Sequence, residues 1–214
     1  MKHKRSKILF WFVTLLPFLV SAACYSRLPA RVATHFNASG APNGFSSREI
    51  AAFGLPAFYF AITLFVFVML KIDPKSDNIN RSPKVKAAVL WGTVILFNLV
   101  HAAMMLNDIG FKLSIGVITG VSVGLLFAVI GNYLPKCKPN YTMGIRLPWT
   151  LASEDNWRKT HRFAGPLWIA GGIVIALSGL LEWAWTILPV TAVLCLVPAV
   201  YSYLLFRKEK SAKP

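Results

Sequence analysis

Charge is what this sequence lacks. Asp, Glu, Lys and Arg make up 14% of its 214 residues, against about 25% in an ordinary soluble domain. No stretch between its long apolar runs exceeds about 30 residues, too short to fold as a soluble domain of its own. No charged side chain sits at the centre of any apolar run. That argues against a proton- or ion-coupled pump, which needs such a group at mid-depth. Cysteine is equally sparse. Of the three, Cys24 and Cys195 fall in or at the end of apolar runs and Cys137 lies in a loop. With no CxxC pair, neither a disulfide framework nor a zinc site is indicated.

What is abundant is hydrocarbon. Six runs reach the roughly 17–25 residues that a helix needs to cross a bilayer core: about 8–26, 50–70, 87–106, 112–134, 165–182 and 185–206. Lipid leaves the backbone no partner but itself, so each span is expected to be a helix. The predicted fold is therefore all-α, a polytopic membrane bundle of six transmembrane helices. The last two spans are parted only by the residues around Glu182 and Trp183, which demands a tight turn. Basic residues, an apolar run and Ser21-Ala22-Ala23 give the N-terminus the look of a secretory signal. Its apolar run of 17 residues from Ile8 to Cys24 and the five spans that follow favour an uncleaved anchor.

The net charge of +15 would suggest nucleic acid on a soluble protein. Here its distribution matters more. Nineteen of the 23 Lys and Arg lie in four segments: 2–7, 71–86, 136–162 and 207–213. Only Arg27, Arg31, Arg48 and Lys112 fall in the alternate segments. Lys and Arg gather on the cytoplasmic side, so the N- and C-termini of a multi-pass membrane protein are expected to be cytoplasmic. The basicity then reflects orientation and attraction to anionic lipid in the bilayer, with no direct nucleic-acid partner.

Gly116, Gly120, Gly124 and Ala128 follow one another every four residues in the fourth span and share one helix face. Gly172, Ala176 and Gly179 repeat the pattern in the fifth. Small faces let membrane helices approach closely. Asn98, His101 and Asn132 are the polar side chains to note within spans. His101, near the predicted outer end and Asp108, is expected to be neutral and hydrogen-bonded.

Two loops carry the informative residues. The outer one, 27–49, holds Thr34-His35-Phe36-Asn37 and then turns at Pro42-Asn43-Gly44, strong turn chemistry. A short extended piece folding over the outer mouth is expected. His35, Asn37 and Arg48 are its candidate ligand contacts, with backbone satisfaction the alternative. The inner loop, 135–164, contains "GIRLPWTLASEDNWRKTHRFAG" from Gly144 to Gly165. Ser153 before Glu154-Asp155 reads as a helix cap followed by acids in the first turn. Trp157, His161, Ala164 and Trp168 share one stripe, with Arg158 and Arg162 beside it. A short amphipathic helix follows, its tryptophans expected at headgroup level. Ahead of it, Gly144–Thr150 is expected to be partly buried, with Arg146 and Trp149 inside it. Exposed Trp and Arg would also suit a docking surface. Glu154, Asp155 and His161 are weaker acid–base candidates, because no nucleophile is paired with them.

The inner segment "NYTMGIRLPWTLASEDNWRKTHRFAG" resembles the signature region of the SdpI family of bacterial membrane proteins. It presents Asn140, Gly144, Arg146, Pro148, Trp149, Thr150, Trp157, Thr160, His161 and Gly165 in the family's order. "LPARVATHFNASGAPNGFSSREI" resembles a domain of unknown function that commonly precedes it. The resemblance implies a two-span unit over 1–70 and a four-span unit over 71–214. It also implies immunity to a secreted peptide toxin, with a small transcriptional repressor held at the membrane when toxin is present. The expected function is accordingly immunity or sensing, without catalysis and without cofactor or metal. His35, Asn37 and Arg48 would act outside, and Arg146, Trp149, Trp157, Arg158 and His161 inside. The alternatives are an exporter of a peptide or amphiphile and a membrane enzyme holding a metal at His35 or His101 with Asp108.

Overall fold

The computed structural model describes residues 2–37 and 39–211. Six helices long and apolar enough to span a bilayer run through it: α1 (Lys2–Cys24), α2 (Leu55–Ile72), α4 (Pro83–Asp108), α5 (Ile115–Tyr133), α7 (Glu154–Leu180) and α8 (Ile187–Ser211). Two short helices, α3 (Ser76–Asn80) and α6 (Pro148–Ala152), lie in the connections. A π-helical turn over Ile50–Gly54 leads into α2. The strands among the described residues form an antiparallel hairpin, β1 (Arg31–Phe36) with β2 (Pro42–Ser47). It forms where the extended outer piece was expected.

The spans pack as two groups of three. Helices α1, α2 and α4 form one, α5, α7 and α8 the other, and α4 against α5 joins them. Six crossings leave two sets of connections. The hairpin end gathers 25–49, 109–114 and 181–186. The opposite end gathers the start of α1, 73–82, 134–153 and the end of α8, so the described parts of the four Lys- and Arg-rich segments meet there; Lys213 lies outside the described residues. We refer to this as the basic end.

The closest packing is between α5 and α7, and its cause is in the glycines. A Cβ on Gly120 would sit 2.7 Å from the Gly179 Cα. One on Gly124 would sit 2.5 Å from the Gly172 carbonyl oxygen, and one on Gly172 2.5 Å from the Ala128 nitrogen. The small faces of the fourth and fifth spans are thus each other's partners. Without a hydrophobic force between helices in lipid, such backbone-to-backbone contact supplies the association.

The fifth span starts earlier than its apolar run. Ser153 Oγ accepts from the Asn156 N–H at 3.2 Å, and one helix continues from Glu154 through Pro166 to Leu180. The expected amphipathic helix is therefore the first part of α7. Its 27 residues extend about 40 Å at about 1.5 Å each, beyond a core of about 30 Å, so the first turns stand clear of the hydrocarbon at the basic end. There α7 meets the loop before it rather than lipid.

Candidate functional site

At the basic end the chain from 134 to 153 is folded into a tight lobe. Asn140 is fully buried. Its Oδ1 accepts from the Thr142 and Met143 N–H groups at 2.9 and 2.6 Å, and its Nδ2 donates to the Lys138 carbonyl at 2.8 Å. Every hydrogen-bonding direction serves the turn. Gly144 follows at φ +94° with the His161 ring directly against it, a conformation and a gap that suit only glycine. His161 Nε2 accepts from the Ile145 N–H at 3.0 Å, and its Nδ1 faces the Trp157 carbonyl at 2.8 Å. A carbonyl can only accept, so the ring is the Nδ1–H tautomer.

Trp157 stacks on His161 with ring centroids 4.1 Å apart. It is 1% exposed and its Nε1–H donates to the Cys137 carbonyl at 2.8 Å. This corrects the expectation of a tryptophan belt at headgroup level. The stripe of Trp157 and His161 faces inward and fastens the 137–145 turn to α7. Trp149 is half-buried and fastens the lobe to α8, its Nε1–H donating to Ser202 Oγ at 2.8 Å. Asn156 Nδ2 reaches the carbonyl of the same Ser202 at 2.9 Å. Burial pushes the Cys137 thiol up to about 11, so at neutral pH it stays a thiol and is no nucleophile.

The outward side of the lobe is cationic. Arg146 is exposed, its Nη1 donating to the Tyr141 carbonyl at 2.5 Å. Arg158 is exposed and paired with Asp155 at 2.6 Å, and Lys159 pairs with the same carboxylate at 2.5 Å. Arg146 also lies at the rim of a cavity of about 460 Å³ between the 141–146 turn and α2, α4, α5 and Trp168. The inner candidates therefore separate: Arg146 and Arg158 are available, while Trp149, Trp157 and His161 hold the lobe together.

Asp73 is a residue that sequence reasoning missed. It ends α2 and is only 4% exposed. Oδ1 accepts from the Lys75 N–H at 2.7 Å, and Oδ2 from the Tyr141 N–H at 2.9 Å and the Thr142 hydroxyl at 2.6 Å. Asn78 Nδ2 and Ser82 Oγ add bonds to the Pro139 and Lys136 carbonyls. The two basic-end connections are one unit. An acid just after an apolar run looks like a solvated end, and nothing local points 68 residues onward. Asp73→Ala removes the acceptor of two partly buried N–H groups and leaves the Thr142 hydroxyl only the longer bond to the Met69 carbonyl at 3.3 Å. It is expected to lower stability by about 3 kcal/mol, read by denaturant unfolding in detergent, with Asp73→Asn intermediate.

At the hairpin end, Val32 and Ala33 of β1 are buried and pack the hairpin onto the bundle; Val32 joins Cys24, Leu28, Ala51, Ala52, Met104 and Met105 in one core cluster. The Ala33 N–H donates to Asp108 Oδ1 at 3.2 Å. Asn37 is exposed, but its Oδ1 accepts from the Ser39 N–H, the Ser39 hydroxyl and the Ala41 N–H at 2.7–3.0 Å. Its carbonyl is spent on the turn. His35 is exposed and its Nδ1 lies 2.6 Å from Asn43 Oδ1. Arg48 sits apart, its Nε donating to the Pro29 carbonyl and its guanidinium over the Tyr25 ring at 5.7 Å. Of the three outer candidates, His35 and Asn37 share a cavity of about 370 Å³ and Arg48 does not. That cavity lies under β1 and is closed by Tyr59, Met104, Thr119 and Leu188.

His101 and Asp108 are not brought to His35. His101 is fully buried, with Nε2 2.8 Å from Ser21 Oγ on α1. This serine–imidazole contact was invisible in the sequence, the two being 80 residues apart. Neither side chain has exposed surface, so the pair clasps α1 to α4 where no substrate could reach it. Among the described residues no group of three His, Cys, Asp or Glu is placed to hold a metal ion.

Comparison with known proteins completes the picture. Residues 136–202 match the SdpI/YfhL protein family, and residues 12–60 match a domain of unknown function, DUF1648. The first match covers the basic-end lobe, α7 and most of α8; the second covers most of α1, the hairpin and the start of α2. The chain is 28% identical over 200 residues to the Immunity protein SdpI of Bacillus subtilis (strain 168), covering 94% of this chain and 93% of that protein. No solved structure matches. With a DUF1648 match ahead of the SdpI/YfhL match and six helices long and apolar enough to span a bilayer, the chain is a multi-pass membrane protein similar to the SdpI/YfhL family over its signature lobe and last two spans.

Proposed function

We propose that this protein confers immunity to a secreted antimicrobial peptide without catalysing a reaction. It acts in a bacterial inner membrane, with the basic end in the cytoplasm as the Lys and Arg distribution favours. The observation that carries this reading is the end-to-end similarity to an immunity protein. The hairpin end supports it, offering an extracellular peptide a cavity of about 370 Å³ edged by His35 and Asn37 under an exposed strand pair. The toxin meets the protein there. At the basic end, Arg146 and Arg158 form the cationic surface that a small cytoplasmic repressor meets.

Expression in a toxin-sensitive strain lacking its own immunity protein is expected to restore survival. Failure to protect against any secreted peptide toxin would sink the reading. Thr119→Trp, which fills the hairpin-end cavity, is expected to abolish protection at unchanged membrane levels. Arg146→Ala with Arg158→Ala is expected to abolish repressor capture and leave insertion intact.

A further inference from the structure

One large cavity among the described residues belongs to neither candidate site. It measures about 570 Å³ and opens at the basic end among α1, α2 and α4. Its mouth carries three lysines from three helices: Lys7, Lys71 and Lys86. The ion pairs among the described residues involve only Asp155 with Arg158 and Lys159, so none of these lysines has a carboxylate partner. Lys86 Nζ donates only to the Asn80 side-chain Oδ1, at 3.5 Å. The floor is aromatic, with Phe10 set edge-on against Trp11 and Trp91 at 5.2 and 5.3 Å. Trp91 also borders a second space of about 290 Å³, a lateral groove between α4 and α5 lined by Gly92, Leu96, Leu99, Leu125 and Val129. Trp91 is thus a wall common to the lysine-mouthed cavity and the apolar groove.

We propose that this is a binding site for one anionic phospholipid, its phosphate on the three lysines and an acyl chain along the α4–α5 groove. Unpaired cations from separate helices repel one another unless an anion sits among them. Tryptophan at that level suits the boundary between headgroup and chain. The groove is open to the bilayer and nearly without polar surface, which favours an acyl chain over a water-soluble ligand. Charge complementarity selects the headgroup, and an apolar groove next to the lysines, sharing Trp91 with their cavity, selects a lipid over a free anion.

The test uses the full chain in mild detergent, titrated with phosphatidylglycerol, phosphatidylethanolamine or inorganic phosphate and read by native mass spectrometry. One phosphatidylglycerol is expected to be retained at concentrations at least about tenfold below phosphatidylethanolamine. Lys7→Gln/Lys71→Gln/Lys86→Gln is expected to erase that preference. Arg207→Gln/Lys208→Gln/Lys210→Gln, which removes the same charge elsewhere at the basic end, is expected to keep it. Ile95→Trp, on the exposed wall of the groove, narrows it without touching charge and is expected to weaken phosphatidylglycerol retention several-fold, so the proposal does not depend on the triple variant folding. Equal retention of the two lipids, equal losses in both charge variants, or phosphate competing as well as the lipid would each overturn it.

Discussion

Trp157→Ala is expected to cost about 3–5 kcal/mol of stability, the usual range for removing a large aromatic from a closed core. Three losses combine. The indole leaves a void in the cluster with Leu70, Ile79, Val85, Cys137 and Met143. The Cys137 carbonyl loses its donor. His161 loses the ring it stacks on, and with it the support for the Ile145 bond that seats the Gly144 turn. Trp157→Phe keeps most of the stack and drops the N–H, so it should cost only about 1–2 kcal/mol. Denaturant unfolding in detergent measures both. A second readout separates this from a lipid-facing belt. Brominated lipid should barely quench Trp157 fluorescence and should quench Trp185, which is 66% exposed. A Trp157→Ala protein as stable as the parent, or strong quenching at 157, would place that side chain in lipid.

Gly124→Leu is expected to be as damaging by a different route. The new Cβ would lie 2.5 Å from the Gly172 carbonyl oxygen and 2.8 Å from the Ala176 Cα. Both are backbone atoms of a packed helix and cannot turn aside. Overfilling a close-packed contact costs about 1–3 kcal/mol and sometimes more; at this seam α7 must move bodily, and a loss of at least about 3 kcal/mol is expected, seen as little folded protein in the membrane fraction. Gly116→Ala is the control. It belongs to the same four-residue series, yet the nearest atom to its Cβ is the Gly40 Cα at 4.0 Å. Alanine there should leave expression and unfolding unchanged. Equal effects at 116 and 124 would refute the α5–α7 seam.

These two sites show how far the sequence reaches. Periodicity put Gly116, Gly120, Gly124 and Ala128 on one face, and that face is real. It could not say that Gly116 looks toward the hairpin turn while Gly120 and Gly124 look at α7, because a helix repeat fixes which residues point together and not what stands opposite. The stripe of Trp157 and His161 failed for the same reason. Tryptophan beside arginine near a span end has the composition of a membrane interface. The burial came from a loop, 137–145, whose own turn depends on Asn140 and on a carboxylate 68 residues earlier. The outer motif divided in a similar way. Turn chemistry located the hairpin, while the tertiary contacts assigned the Asn37 carbonyl to the turn and Arg48 to Tyr25.

The sequence by itself determined six helical spans and the gathering of four basic segments at one end. Hydrocarbon allows the backbone no other partner, and a chain that crosses an even number of times must return its ends together. The tertiary structure alone decided which aromatic and polar side chains became interior struts and which stayed free. That choice rests on contacts between residues 16 to 80 apart, such as Ile145 with His161 and Ser21 with His101. Local composition carries no trace of them.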